Sequence, residues 1–173
     1  ICYSDILFPY IFENNLPFYE TIWDASGVDT FDFEEFTNDL SINLIGGKLS
    51  TISFDVDDKR WADKQHGNLG IAFDCLIENA IGGSGSDPII GNYSHNVLDG
   101  KGGNNILAGR RGRDRLNGGS GNDELRAGNG RDIISGGDGS DTMYGGFGLN
   151  TFEDADDGEI DQLFFKSDQH AYN

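Results

Sequence analysis

Residues Gly82 to Glu153 read GGSGSDPII GNYSHNVLD GKGGNNILA GRRGRDRLN GGSGNDELR AGNGRDIIS GGDGSDTMY GGFGLNTFE, eight nine-residue registers with no insertion or deletion. Position 1 is glycine in seven registers (Gly82, Gly91, Gly100, Gly109, Gly118, Gly136, Gly145) and alanine at Ala127. Position 4 is glycine in seven (Gly85, Gly103, Gly112, Gly121, Gly130, Gly139, Gly148) and serine at Ser94. Position 6 is Asp or Asn in all eight: Asp87, Asn96, Asn105, Asp114, Asp123, Asp132, Asp141 and Asn150. Position 8 is apolar in all eight: Ile89, Leu98, Leu107, Leu116, Leu125, Ile134, Met143 and Phe152. A glycine-rich linker behaves as a solvated coil and has no reason to place an apolar residue at every ninth position.

Each constraint has a physical reading. Two glycines within four residues let the backbone turn through left-handed conformations closed to other residues. The turn gathers carbonyl oxygens around a small volume, and the position-6 side chain points into it. Hard oxygen donors of that kind suit Ca²⁺, which accepts six to eight of them in flexible geometry. Three extended residues follow, with the position-8 side chain facing inward. So short a strand cannot stand alone and must stack on copies of itself.

The nonapeptide resembles the RTX (hemolysin-type) repeat GGxGxDxUx, a calcium-binding β-helix repeat. The resemblance implies an all-β fold, a parallel β-roll or β-solenoid with two nonapeptides per turn, in which ions lie between register n and register n+2. One edge then stacks Asp87, Asn105, Asp123 and Asp141, and the other Asn96, Asp114, Asp132 and Asn150, with the position-1 and position-4 glycines completing the loops. Four loops per edge leave three gaps, so up to six inter-loop sites are expected. The gaps with Asp on both sides, Asp123 with Asp141 and Asp114 with Asp132, are expected to bind tightest, because ligand charge sets calcium affinity. The gap beside Ser94 and Asn96 is a candidate for an empty one. Glycine-rich turns lose much entropy on ordering, so ion binding is expected to act as folding free energy, leaving the calcium-free repeat disordered.

Before the repeat, Thr30–Phe33, Ser41–Ile45 and Ser50–Phe54 alternate apolar and polar residues and predict strands. Thr21-Ile22-Trp23-Asp24-Ala25-Ser26-Gly27-Val28-Asp29-Thr30-Phe31-Asp32-Phe33 resembles the TIWDAGGNDTxDF string that opens the C-terminal domain of serralysin-type metalloproteases. Ile77-Glu78-Asn79-Ala80-Ile81-Gly82-Gly83-Ser84-Gly85 matches that family's IENAIGGSG, and Gly67–Ala72 and Asn43–Ser50 resemble further strings, in the same order. This resemblance covers about residues 18–153. It implies one more calcium site, held by Asp24, Gly27, Asp29 and Glu78, with Ser26 contributing a carbonyl. Leu76 stands where the family has threonine and is left with only a backbone oxygen to offer. A plainer reading is that Asp24 and Asp29 cap a turn. Asp55 to His66 looks like an insertion forming an exposed loop, with Trp61 packed on the sheet or free for a partner.

The serralysin-type zinc signature HExxHxxGxxH is missing: the three histidines, His66, His95 and His170, are widely spaced. No catalytic residues are assigned, and the chain itself is not expected to be an enzyme. The formal charge is −18. Residues 1–81 carry 15 acids and 4 bases, residues 82–153 carry 9 and 7, and residues 154–173 carry 6 and 1. That balance argues against nucleic acid as a partner, and no apolar run approaches the ~20 residues of a membrane span. Arg110, Arg111, Arg113 and Arg115 either offset the carboxylates or contact a polyanion. Cys2 and Cys75 pair or stay free.

These readings divide the chain into a β-rich segment (1–81), the eight-register roll (82–153) and an acidic cap (154–173). Ile1 at the start and His170-Ala171-Tyr172-Asn173 at the end suggest a piece of something longer, exported without an N-terminal leader. The expected role is a monomeric, secreted, extracellular calcium module that folds after passage through type I secretion machinery and stabilises its parent. The alternatives are the tail of a zinc metalloprotease, with an N-terminal catalytic domain in the same parent chain, and an adhesin or polysaccharide-binding module.

Overall fold

The computed structural model describes residues 20–23, 26–52, 69–153 and 161–165. Its strands are β1 (Glu20–Ile22), β2 (Thr30–Asp32), β3 (Ile42–Asn43), β4 (Leu49–Ser50), β5 (Leu69–Ile71), β6 (Asn79–Ile81), β7 (Pro88–Ile90), β8 (Val97–Asp99), β9 (Ile106–Gly112), β10 (Arg115–Ser120), β11 (Glu124–Gly130), β12 (Ile133–Asp138), β13 (Thr142–Phe147), β14 (Thr151–Glu153) and β15 (Gln162–Phe165). The described residues contain no helix.

Successive strands of the repeat alternate between two parallel six-stranded sheets, ordered β14-β12-β10-β8-β6-β2 and β15-β13-β11-β9-β7-β3. Two registers therefore complete one turn. The pairing keeps position 8 over position 8: Leu98 on Leu116, Leu116 on Ile134, and Ile134 on Phe152 in one sheet. In the other, Ile89 lies on Leu107, Leu107 on Leu125, and Leu125 on Met143. Ile89, Leu98, Leu107, Leu116, Leu125, Ile134 and Met143 have no exposed surface, and Phe152 packs against them. The apolar core is thus a narrow double column between the sheets. The expected parallel β-roll is the observed fold.

The nonapeptide predicts three extended residues per register. β7 and β8 keep to that, whereas β9 to β13 continue for six or seven residues into the following loop. The loop backbone pairs as well, Gly119 with Gly137 and Gly128 with Gly146. At position 2 this requires left-handed dihedrals: φ is 106° at Gly119, and a Cβ there would run into the Lys101 carbonyl one rung below. Lys101 (φ 68°) and Arg110 (φ 82°) hold the same position without being glycine.

Both sheets extend beyond the periodic stretch. Thr30-Phe31-Asp32 stacks on Asn79-Ala80-Ile81, which stacks on Val97-Leu98-Asp99. Ile42 pairs with Ile89, and at the far end Leu163 pairs with Met143. A small third sheet, β1-β5-β4, covers the first rungs, with β1 parallel and β4 antiparallel to β5. Of the strand expected over Ser50–Phe54, Ser50 lies in β4 and Thr51 bridges to Ser41. Its last two residues, the Asp55–His66 insertion with Trp61, Cys2, and residues 154–160 and 166–173 lie outside the described residues. Cys75 is buried.

Candidate metal centre

The position-6 side chains form two buried ladders, one on each edge of the roll. Asp87, Asn96, Asn105, Asp114, Asp123, Asp132 and Asp141 are each at most 3% exposed. Each rung uses the next: the backbone N–H of one position-6 residue donates to Oδ1 of the position-6 residue eighteen later. On one edge Asp87 N–H reaches Asn105 (2.9 Å), Asn105 N–H reaches Asp123 (2.6 Å) and Asp123 N–H reaches Asp141 (2.8 Å). On the other, Asn96 N–H reaches Asp114 (2.9 Å), Asp114 N–H reaches Asp132 (2.9 Å) and Asp132 N–H reaches Asn150 (3.0 Å). The sequence-derived assignment of four position-6 residues to each edge corresponds to these two ladders.

That bond satisfies one carboxylate oxygen and leaves the second. Oδ2 of Asp114, Asp123 and Asp132 is buried with no hydrogen-bond donor. In Asp114 and Asp123 it faces the position-1 glycine of its own register and a carbonyl of the rung above. A Cβ built on Gly109 would lie 2.6 Å from Asp114 Oδ2 and 2.8 Å from the Ala127 carbonyl oxygen. Gly118 is enclosed in the same way by Asp123 Oδ2 and the Gly136 carbonyl, and Gly82 by Asp87 Oδ2 and the Gly100 carbonyl. Glycine at position 1 therefore keeps open a small volume lined by oxygen. Burial pushes the Asp114 carboxyl up to about 7, against the N–H it accepts from Asn96 and with help from the charge of Asp132. Burial likewise pushes Asp123 up to about 6, and it raises Asp132 and Asp87. Buried carboxylates facing carbonyls without a proton donor are costly unless a cation joins them.

Asparagine at position 6 resolves the same problem internally. Asn105 Nδ2 donates to the carbonyls of Gly102 (3.2 Å), Gly103 (3.3 Å) and Gly118 (3.3 Å). Asn150 Nδ2 donates to the Gly145 carbonyl (2.7 Å), and Asn96 Nδ2 to the Glu78 carbonyl (2.8 Å). In the register that lacks a position-4 glycine, Asn92 adds a second amide, donating to the carbonyls of Leu44 (3.2 Å) and Ile77 (2.8 Å). Sequence reasoning passed over Asn92, whose signal is a side chain at position 2 that can both donate and accept.

The ladders continue past the repeat. Asp141 N–H donates to Asp161 Oδ1 at 2.7 Å, across twenty residues rather than eighteen. Asp161-Gln162-Leu163-Phe164 is a ninth copy of positions 6 to 9 that sequence reasoning missed, although its Asp-x-apolar-x pattern was there to be read. At the other end Asp29 N–H donates to Glu78 Oε2 at 3.0 Å, and Asn79 N–H returns to the Asp29 carbonyl at 3.0 Å. Asp29 and Glu78 are thus brought together, in the place position 6 would occupy. Gly27 (φ 138°) lies against the Asp29 carboxylate and Ser26 is exposed beside it; Leu76 is 47% exposed and Asp24 lies outside the described residues. On the remaining edge Leu40 stands where an acid would, its N–H donating to Asp87 Oδ1 at 2.7 Å.

Among the described residues no three His, Cys, Asp or Glu side chains gather into one cluster. The donor set is instead one carboxylate per rung with backbone carbonyls, the hard-oxygen chemistry of Ca²⁺ and not the nitrogen and sulfur chemistry of zinc. His95 is exposed, accepting the Arg113 N–H at Nδ1 (2.8 Å).

A family model described as the C-terminal region of serralysin M10 peptidases matches residues 11–168. The chain belongs to the serralysin C-terminal family. Among similar proteins, a serralysin of Photorhabdus laumondii is 45% identical over 78 residues, 45% of this chain and 14% of the relative. Serralysin G of Dickeya chrysanthemi is 42% identical over 87 residues, 50% of this chain and 16% of the relative. The metalloprotease AprA of Pseudomonas entomophila is 44% identical over 78 residues, 45% of this chain and 14% of the relative. This serralysin C-terminal chain spans about one seventh of the length of the curated relatives it matches. The match is to the β-solenoid module of such proteins and not to their catalytic domain.

Proposed function

We propose that this module binds Ca²⁺ between the loops of its roll and folds as it does so, outside the cell, at the C-terminal end of a secreted protein. The observation that carries the reading is the set of buried, donorless Oδ2 atoms of Asp114, Asp123 and Asp132, the first two opposite the carbonyls of Ala127 and Gly136. Asp87, Asp114, Asp123, Asp132 and Asp141 would hold the ions with the carbonyls of the position-1 and position-4 residues. The ion supplies positive charge that the fold itself lacks at these points. Asn96, Asn105 and Asn150 hold their loops by amide hydrogen bonds and would contribute weaker sites. Asp161 extends one edge by a further site, and Asp29 with Glu78 supports a site before the repeat.

On this reading residues 82–153 are the calcium-dependent unit, with 1–81 supplying its first rungs and 154–173 its end. Extracellular modules bind Ca²⁺ at about 10⁻⁴–10⁻³ M. Below that level the buried carboxylates oppose folding, and the chain remains threadable for type I secretion; above it the roll closes and steadies what precedes it. The similarity to serralysins and a metalloprotease supports a zinc-protease domain upstream in the parent.

Far-ultraviolet circular dichroism of the purified chain during a calcium titration tests the core of this. A sheet spectrum that appears with Ca²⁺ and vanishes in excess EGTA is expected; an unchanged spectrum and a sharp melt in EGTA overturn it.

A further inference from the structure

The two edges of the roll differ in charge. Positions 1 to 5 of the loops holding Asp87, Asn105, Asp123 and Asp141 carry one lysine and one acid, Lys101 and Asp138. Lys101 Nζ is occupied, 2.8 Å from Glu34. The same positions on the opposite edge, in the loops of Asn96, Asp114, Asp132 and Asn150, carry no acid and four arginines, Arg110, Arg111, Arg113 and Arg131, with His95 beside them. All five side chains are exposed. None of the four guanidiniums has an ion-pair partner among the described residues, whereas Arg115 and Arg126 face Glu153 and Glu124. Offsetting of carboxylates explains the last two arginines but not the first four.

The register makes this a row. His95, Arg113 and Arg131 hold position 5 on consecutive rungs, about 4.8 Å apart as in any parallel sheet. Beside them Arg110 and Arg111 lie over the ring of Tyr93, 5.2 and 5.7 Å from its centroid, and Arg110 Nη2 donates to the Tyr93 hydroxyl at 3.3 Å. At its C-terminal end the row meets a cavity of about 260 Å³ lined by Arg131, Gly146, Leu149, Asn150, Thr151 and Phe165. Arg110 holds this place at φ 82°, where five of the other seven registers have glycine. A strained backbone residue that makes no ion pair is the kind of outlier that accompanies function.

We propose that this edge binds a linear anionic polysaccharide along the axis of the roll. Guanidinium forks match carboxylates in bidentate geometry, and a row one side chain wide suits a single thin chain. A nucleic acid duplex fits poorly, because its two phosphate strands would meet only one row of cations. Single-stranded nucleic acid is bound by stacking bases on aromatic rings, and here the Tyr93 ring is engaged by two arginines.

The test is isothermal titration of the calcium-loaded chain with short oligogalacturonate, with its fully methyl-esterified form, and with an oligo-dT of equal charge. Binding of the acid form alone, weakening as salt rises, is expected. Arg110→Gly with Arg113→Ala should weaken it at least tenfold, and Lys101→Ala, on the opposite edge, should leave it unchanged. Arg110→Gly alone should weaken binding while leaving the melting temperature equal or higher. Equal binding of the esterified form, tighter binding of oligo-dT, absence of binding, or equal loss in Lys101→Ala overturns the proposal.

Discussion

The backbone N–H of Asp114 donates to Oδ1 of Asp132 at 2.9 Å, eighteen residues later, and Oδ2 of both carboxylates remains buried without a donor. One bond sets the register of neighbouring rungs. The oxygen it leaves over makes the register dependent on what else is bound.

Replacing Asp123 by Asn places an amide one rung above Asn105, whose own amide donates to three carbonyls. Equilibrium dialysis should count fewer tightly bound calcium ions, while the sheet signal in EGTA should rise because a buried unpaired charge is gone. An unchanged ion count speaks against the site.

Acid should favour the calcium-free roll. Asp114 and Asp123 titrate near 7 and 6 when folded and near 3.8 when unfolded. Between those values the folded state carries more protons, so stability falls as pH rises from about 4 to about 7 and levels off above. In EGTA the sheet signal should therefore be larger at pH 5 than at pH 8. With calcium present the order should reverse, because protons compete for the same oxygens.

Gly119→Ala sets a Cβ against the Lys101 carbonyl at φ 106°. The left-handed backbone alone costs about 1–2 kcal/mol, and urea unfolding in saturating calcium should show at least that loss. Exposed Ser120→Ala next to it should change little.

Asp161→Ala removes the acceptor of the Asp141 N–H. A buried donor left unsatisfied costs about 1–3 kcal/mol, so hydrogen exchange at Asp141 should quicken. Asp161→Asn keeps an oxygen in place and should preserve protection while weakening calcium binding.

The roll was legible because Leu98, Leu116 and Ile134 must coincide if two registers make a turn, and only a constant spacing permits that. Asp161 escaped because two extra residues separate it from Asp141, which hides it from any search at a fixed interval. Asp29 and Glu78 carry no periodic signal either; they are 49 positions apart, and only the family resemblance brought them together in the sequence. The role of Asn105 as an internal amide plug was out of reach, since it depends on the Gly118 carbonyl of another loop meeting those of Gly102 and Gly103 in its own. The arginines read as one run, Arg110 to Arg115. Sorting them by alternate registers shows that Arg115 belongs to a sheet face and that Arg131 joins the row.

Because each turn consumes two registers, the roll has a natural quantum of length. Adding or deleting eighteen residues inside it would leave both ends and both borders as they are. Nine residues would do something else: every loop downstream would change sides, arginine-bearing bends would land above neutral ones, and the carboxylates would meet strangers. Gene rearrangements in such a module are therefore expected to survive in even numbers of nonapeptides.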